Sequence, residues 1–259
     1  MTTRQSSRRN FLARLAAGAG ALALTGCDRL VQDDNVDAVL RQTEKLTLAG
    51  QRALLSRHAL AREYTEADLS PVFRANGTQM PDSNEYARLL EGSFMDWRLK
   101  VDGLVERPQS LSLAELKRFP SRTQITRHDC VEGWSAIGKW HGVPLAHVLD
   151  AAGLKPGARY VVLHCADDLE KALDGSGRYY ESIDLIDAYH PQTILAYGMN
   201  GRDLPVRHGA PLRLRVERQL GYKQAKYLMR IEVVDGFSTL FGGKGGFWED
   251  RGYEWYAGI

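Results

Sequence analysis

Cysteine is scarce in this sequence. Its 259 residues carry three, at positions 27, 130 and 165. None belongs to a C-x-x-C pair, and no H-x-x-x-H spacing accompanies them, so the pattern of a zinc site built from protein ligands alone is missing. A covalently held haem is excluded in the same way, because C-x-x-C-H does not occur. The phosphate-binding glycine patterns are absent too. There is no G-x-x-x-x-G-K-[ST] and no strand-linked G-x-G-x-x-G, which disfavours nucleotide binding. Beyond the N-terminal segment no apolar run approaches the roughly 18 residues of a membrane helix. Repeats and low-complexity tracts are not seen.

Acidic residues are missing from the first 26 positions, which hold Arg4, Arg8, Arg9 and Arg14. The formal charge of the chain is +2, and without those four arginines it is −2. No basic surface of the kind that binds nucleic acid remains. With 44% hydrophobic and 25% charged residues, the composition is that of an ordinary soluble globular protein. The length suffices to bury a core as one large domain or two small ones.

What is present begins with an export signal. Ser7 to Leu12 reads SRRNFL and precedes a short apolar, small-residue run that ends at Cys27. Arg8-Arg9 followed by Phe11-Leu12 looks like the twin-arginine type, which carries folded proteins across the bacterial inner membrane. Leu24-Thr25-Gly26-Cys27 resembles the lipobox of bacterial lipoproteins, with Asp28 matching inner-membrane retention, and a simple cleaved signal is the alternative. An acylated Cys27 would anchor the chain to a membrane without spanning it. Transport in the folded state suits a protein whose cofactor is inserted beforehand.

Three regions follow: the signal at 1–26, a tether and helical segment at 27–69, and a main domain at 70–259. Residues 33–63, rich in Leu, Ala, Arg and Glu, predict one or two helices, and 64–96, with Pro71, Pro81 and Asn76-Gly77, an irregular stretch. Trp97 to Val101 alternates and ends at Asp102-Gly103, a strand and turn. Ser112 with Glu115 is a capping box, and Val143 to Ala152, between Pro144 and Gly153, is a second short helix. Strands are expected at 160–164, at 212–216 as a half-exposed Leu-Arg-Leu-Arg-Val run, and at 227–234, before a glycine-rich aromatic tail. The fold class is mixed α/β.

Two segments could carry chemistry. Cys130 has Arg127, His128 and Glu132 as neighbours, and nearby positive charge favours a thiolate. A disulfide to Cys165, a place in the core, a nucleophile and a metal ligand all remain open for it. A metal there would need most of its donors from elsewhere, such as an organic cofactor. The second segment runs from 196 to 228. It concentrates Arg207, His208, Arg213, Arg215, Arg218, Lys223 and Lys226 among glycines, which suits an anionic group or else a solvated strand face.

Taken in order, the motifs resemble the sulfite oxidase family of molybdopterin-binding oxidoreductases. The matching residues are Trp97-x-Leu-x-Val101-x-Gly103, Pro108 and Leu113 to Pro120, then Arg127-x-x-Cys130-Val131-Glu132-Gly133-Trp134. Trp140-x-Gly142-Val143-Pro144-Leu145 and Tyr180-Glu181-Ser182-Ile183 come next. Asn200-Gly201-x-x-Leu204-Pro205, His208-Gly209-x-Pro211-x-Arg213, Gly221-Tyr222-Lys223 and Lys226 complete the series. The resemblance covers about residues 70–259.

The resemblance implies one molybdenum held by a single pyranopterin dithiolene, with Cys130 as the one protein ligand, a soft thiolate that suits the metal. It makes His208, Arg213, Gly221, Lys223 and Lys226 contacts of the pterin and its phosphate, and puts Asn76 on a loop near the metal. Glu132, Tyr180 and Arg127 are candidates for the substrate side. Glu132 and Trp134 follow the ligand as in the periplasmic methionine-sulfoxide reductase branch. That match favours two-electron oxygen-atom transfer from a sulfoxide over sulfite oxidation or a non-catalytic molybdopterin-binding lipoprotein. Glu217-Arg218 departs from the Pro-Gly pair of the animal enzymes, and the family's C-terminal immunoglobulin-like domain is not expected. Without a haem motif, electrons would pass through a separate partner, an inner-membrane haem subunit or a soluble cytochrome.

Overall fold

Ser83 starts the first helix of the main unit. Its hydroxyl accepts from the Tyr86 amide at 3.1 Å, satisfying one orphan donor of the eight-residue helix that follows. The computed structural model containing it describes residues 34–171 and 177–259, so the twin-arginine signal, the lipobox and Cys27 lie outside the described residues. The chain divides between Leu54 and Leu55 into two units. In the first, the described part is one helix, α1 (Asp34–Leu54), closed by Arg52 in its last turn. The sequence suggested helix as far as residue 63. Instead, residues 55–69 belong to the second unit, where the Tyr64 amide donates to Ile125 O at 2.8 Å and Ser70 to Ile137 O at 3.1 Å.

In the second unit, α2 (Asn84–Glu91) lies in the stretch read as irregular. Pro81 and Asn76-Gly77 break the pattern just before it, and eight residues are too few to show a period. Tyr86 anchors the helix, 1% exposed, with its hydroxyl donating to Ala210 O at 2.7 Å.

Two sheets carry the rest. The first has the order β2-β1-β10-β5-β6, built from β1 (Arg98–Gly103), β2 (Gln109–Ser112), β5 (Tyr160–Asp168), β6 (Arg178–Asp184) and β10 (Leu228–Val234). Only the β1–β10 pair is parallel. The second joins β3 (Arg122–Cys130), β4 (Trp134–Pro144), β7 (Ile194–Met199) and β8 (Arg202–Asp203), with β9 (Arg213–Arg215) also paired to β7. The capping box forms as expected at α3 (Leu113–Leu116). Helix α4 (Leu145–Ala152) ends at Gly153, whose φ of 70° a residue with a Cβ adopts only with strain. Asp184 caps a last short helix, α5 (Leu185–Ala188).

The larger core packs Leu99, Val101, Leu163, Ile231 and Val233 of the first sheet with Val148 and Leu149 of α4 and Leu195, Leu212 and Leu214. Each such side chain contributes about 1.5–3 kcal/mol by leaving water. Strand β7 is buried along its whole length because its other face enters a second cluster, with Phe73, Trp140, Ile194 and Ala196.

The run 212–216 was expected to be half-exposed. All five side chains are buried, with Arg213 at 1% and Arg215 at 0% exposure. The alternation is real, but its polar face turns inward, where Glu217 pairs with Arg215 at 2.6 Å. Among the described residues no helix is long and apolar enough to cross a membrane.

Candidate active site

Cys130 is the last residue of β3, opposite Trp134 across a tight hairpin. In a strand, alternate side chains share a face. His128 and Cys130 therefore point inward, while Arg127 and Asp129 point to the other side. Cys130 is 8% exposed and lines a cavity of about 190 Å³ with Asn76, Gly77, Thr78, Glu132, Asp167, Tyr179, Gly221, Tyr222, Gln224, Lys226, Trp248 and Tyr253. Burial holds its thiol above the ordinary cysteine range, and the Glu132 carboxylate adds to that. The expected cationic push toward thiolate is not seen, because Arg127 is turned away. Cys165 is a separate free thiol in the larger core, so the two cysteines do not form a disulfide.

Lys226 enters the cavity from the turn before β10. Its ammonium donates to Asn76 O at 2.6 Å and to Thr78 O, clasping the loop that forms one wall. Burial, with the Arg213 charge behind it, pulls Lys226 down to about 7. Asp167, at the end of β5, is pushed up to about 6 by burial, against the attraction of Lys226. The Gly221–Lys223 turn gives the backbone of another wall. A Cβ on Gly221 would sit 2.6 Å from the His128 ring, so only glycine brings this turn so close to the ligand strand.

Arg213 and His208 lie one layer behind. Arg213 donates to His208 O at 2.9 Å and to the backbone carbonyl of Gln224 at 3.2 Å, so it acts on the cavity through Gln224. His208 packs edge-on against Phe73, and burial with the Arg213 and Arg207 charges lowers it to about 4. His128 is lowered by burial and by Arg215, which lies 3.1 Å from its Nδ1.

Of the sequence candidates, the cavity thus gathers Asn76, Cys130, Glu132, Gly221 and Lys226. Arg127 is bound to Asp129 at 3.0 Å on the outer face. Tyr180 faces away as well, stacked on Phe241 and donating to Asp250 at 2.5 Å, while its strand neighbour Tyr179 lines the cavity. Lys223 is turned from the cavity into contact with Glu181 and Glu249. The cationic cradle read at 196–228 is therefore partly neutralised from within, at Arg215 and Lys223. Arg215 is paired with Glu217, and Arg218 donates to Ser56 O and Arg57 O. Sequence reasoning missed Asp167, Tyr179, Gln224, Trp248 and Tyr253. For the last two the aromatic tail was the available signal.

These residues fit the metal end of a molybdopterin. The thiol is a soft donor, and among the described residues no three His, Cys, Asp or Glu side chains converge as a metal set of their own. Asp167 Oδ1 is buried at the cavity without a hydrogen-bond partner, and a cofactor with amino and hydroxyl groups would satisfy such an atom. Sites that enclose a whole small molecule run to about 300–1,000 Å³. At about 190 Å³ this cavity is smaller, with the Asn76–Thr78 loop clasped over it.

The family model described as the oxidoreductase molybdopterin binding domain matches residues 88–241. The chain belongs to this molybdopterin-binding oxidoreductase family, and it is an enzyme of the sulfite oxidase type. The match spans the Cys130 strand and the Gly221 turn, whereas the Asn76 loop and the Trp248–Tyr253 wall lie outside it. Among relatives, a protein of Azospira oryzae with the provisional name protein-methionine-sulfoxide reductase subunit YedZ1 is 38% identical, over 97% of this chain and 88% of its own. The protein-methionine-sulfoxide reductase catalytic subunit MsrP of Xanthomonas axonopodis pv. citri is 39% identical over 61% of this chain. The chain spans about half the length of the MsrP relatives it matches. Among solved structures, the sulfane dehydrogenase SoxCD from Paracoccus pantotrophus matches with a TM-score of 0.48 and 25% identity, over 54% of this chain and 39% of that one.

Proposed function

We propose that this chain is the catalytic part of a periplasm-facing molybdenum enzyme that removes an oxygen atom from a sulfoxide in a two-electron reduction. The charge of the cavity carries the reading. Among the described residues its walls bear the carboxyl groups Glu132 and Asp167, one cation in Lys226, and no arginine. An anion such as sulfite is best held by forked guanidinium contacts, which these walls do not offer. A sulfoxide is a neutral dipole with apolar arms, and Tyr179, Tyr222, Trp248 and Tyr253 supply ring surfaces suited to sulfur. The names of the relatives support the same direction.

When bound, a single molybdopterin would supply the electron and oxygen-atom exchange. Cys130 would hold the metal through its thiolate, giving up its proton on binding. Lys226 would hold an anionic part of the cofactor, and Glu132 and the aromatic wall would shape the substrate side. Glu132 is steadied by Trp134, whose indole donates to it at 3.0 Å. Electrons arrive from a separate haem protein, an inner-membrane subunit or a soluble cytochrome. The Arg8-Arg9 signal and Cys27 support folded export and a lipid anchor on the periplasmic face of the inner membrane.

The test is molybdenum content, followed by turnover. Folded protein is expected to carry near-stoichiometric molybdenum and to oxidise a reduced dye with methionine sulfoxide. Cys130→Ser should keep its circular dichroism and lose the metal. Full metal content in that variant would remove the ligand role, and sulfite oxidation without sulfoxide turnover would reverse the direction.

A further inference from the structure

Behind the cavity wall lie three fully buried ionisable side chains with an uneven charge balance. Lys223 Nζ donates to Glu181 Oε2 at 2.6 Å and to Glu249 Oε1, and the three side chains are 0–1% exposed. One ammonium faces two carboxyl groups. With both ionised, the interior would hold an unpaired negative charge, which is costly to bury. Glu249 Oε2 has no hydrogen-bond partner that could share such a charge. Anchoring the Gly221–Lys223 turn needs one carboxylate, and the second is surplus to that task.

The protonation state follows from the packing. Burial and the nearby Glu249 carboxylate push Glu181 well above the carboxylic range. Lys223 remains an ammonium, because its two carboxyl partners outweigh the burial that opposes its charge. The titratable groups around Glu181 are Cys165 on β5, Tyr179 and Tyr180 on β6, Tyr222 and Lys223 on the 221–223 turn, and Glu249 on the Glu249–Arg251 turn.

The cluster reaches the cavity through Tyr179. Tyr179 lines the cavity, its hydroxyl donates to Tyr222 O at 2.5 Å, and the same oxygen stands 3.4 Å from Glu181 Oε1. That is the long end of hydrogen-bond range, closed by a small shift of either side chain.

We propose that Glu181, with Lys223 and Glu249, is a buried proton store that serves the Cys130 cavity through the Tyr179 hydroxyl. The assignment rests on the sulfoxide reading above. Reduction of a sulfoxide consumes two electrons and two protons. The sulfur–oxygen bond breaks, sulfur keeps the electron pair, and the oxygen leaves as water. The electrons come from the haem protein partner. One proton comes from solvent; for the other, Tyr179 passes its hydroxyl proton to the departing oxygen and takes the Glu181 proton in its place. The Glu181 carboxylate then faces the Lys223 ammonium until solvent reloads it. Glu181 is thus a relay residue acting through Tyr179.

The full chain tests this with and without cofactor. Infrared spectroscopy at neutral pH should show the carbonyl band of one buried protonated carboxylic acid, lost in Glu181→Gln. In the cofactor-loaded enzyme, with reduced dye and methionine sulfoxide, Glu181→Gln and Tyr179→Phe should each lower kcat about tenfold or more at alkaline pH, with KM kept. The loss should shrink toward acidic pH, where solvent protons substitute, and Glu181→Asp should recover part of it. No protonated-acid band in the wild type, or a wild-type pH profile in both variants, would overturn the store. The infrared arm needs no substrate, so failure of the sulfoxide reading shows separately. If sulfite is oxidised instead, two protons leave the cavity and the same variants are read in that direction.

Discussion

The ammonium of Lys226 donates to the backbone carbonyl of Asn76 at 2.6 Å, across 150 positions of sequence. With a second bond to Thr78 O, this clasp holds the loop that closes one wall of the Cys130 cavity. A charged donor of this kind is worth about 1.5–3 kcal/mol. Lys226→Met should therefore raise hydrogen exchange at residues 73–79 and lower stability by about 1–3 kcal/mol, with reduced cofactor retention. Unchanged protection of that loop would mean the clasp does not hold it.

Gly221→Ala places a Cβ 2.6 Å from the His128 ring and 3.2 Å from Asp129 O. Neither neighbour can yield freely, since His128 is buried and bound to Arg215. Overpacking of this kind costs about 1–3 kcal/mol. The variant should melt at lower temperature and contain less molybdenum than wild type. Urea unfolding and metal analysis measure both.

Arg215 and Glu217 form a fully buried pair with contacts at 2.6 and 3.0 Å, and Gln124 donates to the same carboxylate at 2.8 Å. Removing one partner strands the other charge, at a cost of about 3–5 kcal/mol. Arg215→Met and Glu217→Leu should each destabilise strongly. The double variant should recover much of the loss, which a double-mutant cycle reads directly.

His208 sets a pH dependence. Its ordinary value of 6.5 falls to about 4 in the folded chain, chiefly through burial. Below 6.5 the unfolded chain binds a proton that the folded chain refuses, so stability falls as pH drops from 6.5 toward 4. The whole window is worth about 3 kcal/mol. Asp167 has the opposite sign. It is raised from 3.8 to about 6, so its contribution is present at low pH and lost as pH rises through 6. Unfolding free energies of His208→Asn at about pH 5 and about pH 7 should differ less in the acid-destabilising direction than those of wild type.

Much of the site was legible in residues close together in the chain. Cys130 stood out because its strand end, hairpin and flanking Glu132 and Trp134 occupy one short stretch. Gly221 and Lys226 also fall in one short stretch. The caps at Ser112 and Gly153 were visible for the same reason, since each acts within one helical turn. The direction of the polar side chains was harder to read. Arg127, Tyr180 and Lys223 carry the right chemistry, but they point away from the cavity, while Tyr179 and Asp167 face it.

The sequence by itself determined the mixed α/β class, the family, the single candidate thiol at Cys130 and the local stops and starts of the main unit. These depend on propensity, on strand alternation and on motifs a few residues long. Only the tertiary structure decided which charges are spent internally. Arg215 meets His128 and its partner Glu217 meets Gln124, both from β3, and Lys223 meets Glu181 from β6 and Glu249 from the tail. Charge pairing depends on distance in space, and the fold joins strands that the sequence keeps far apart.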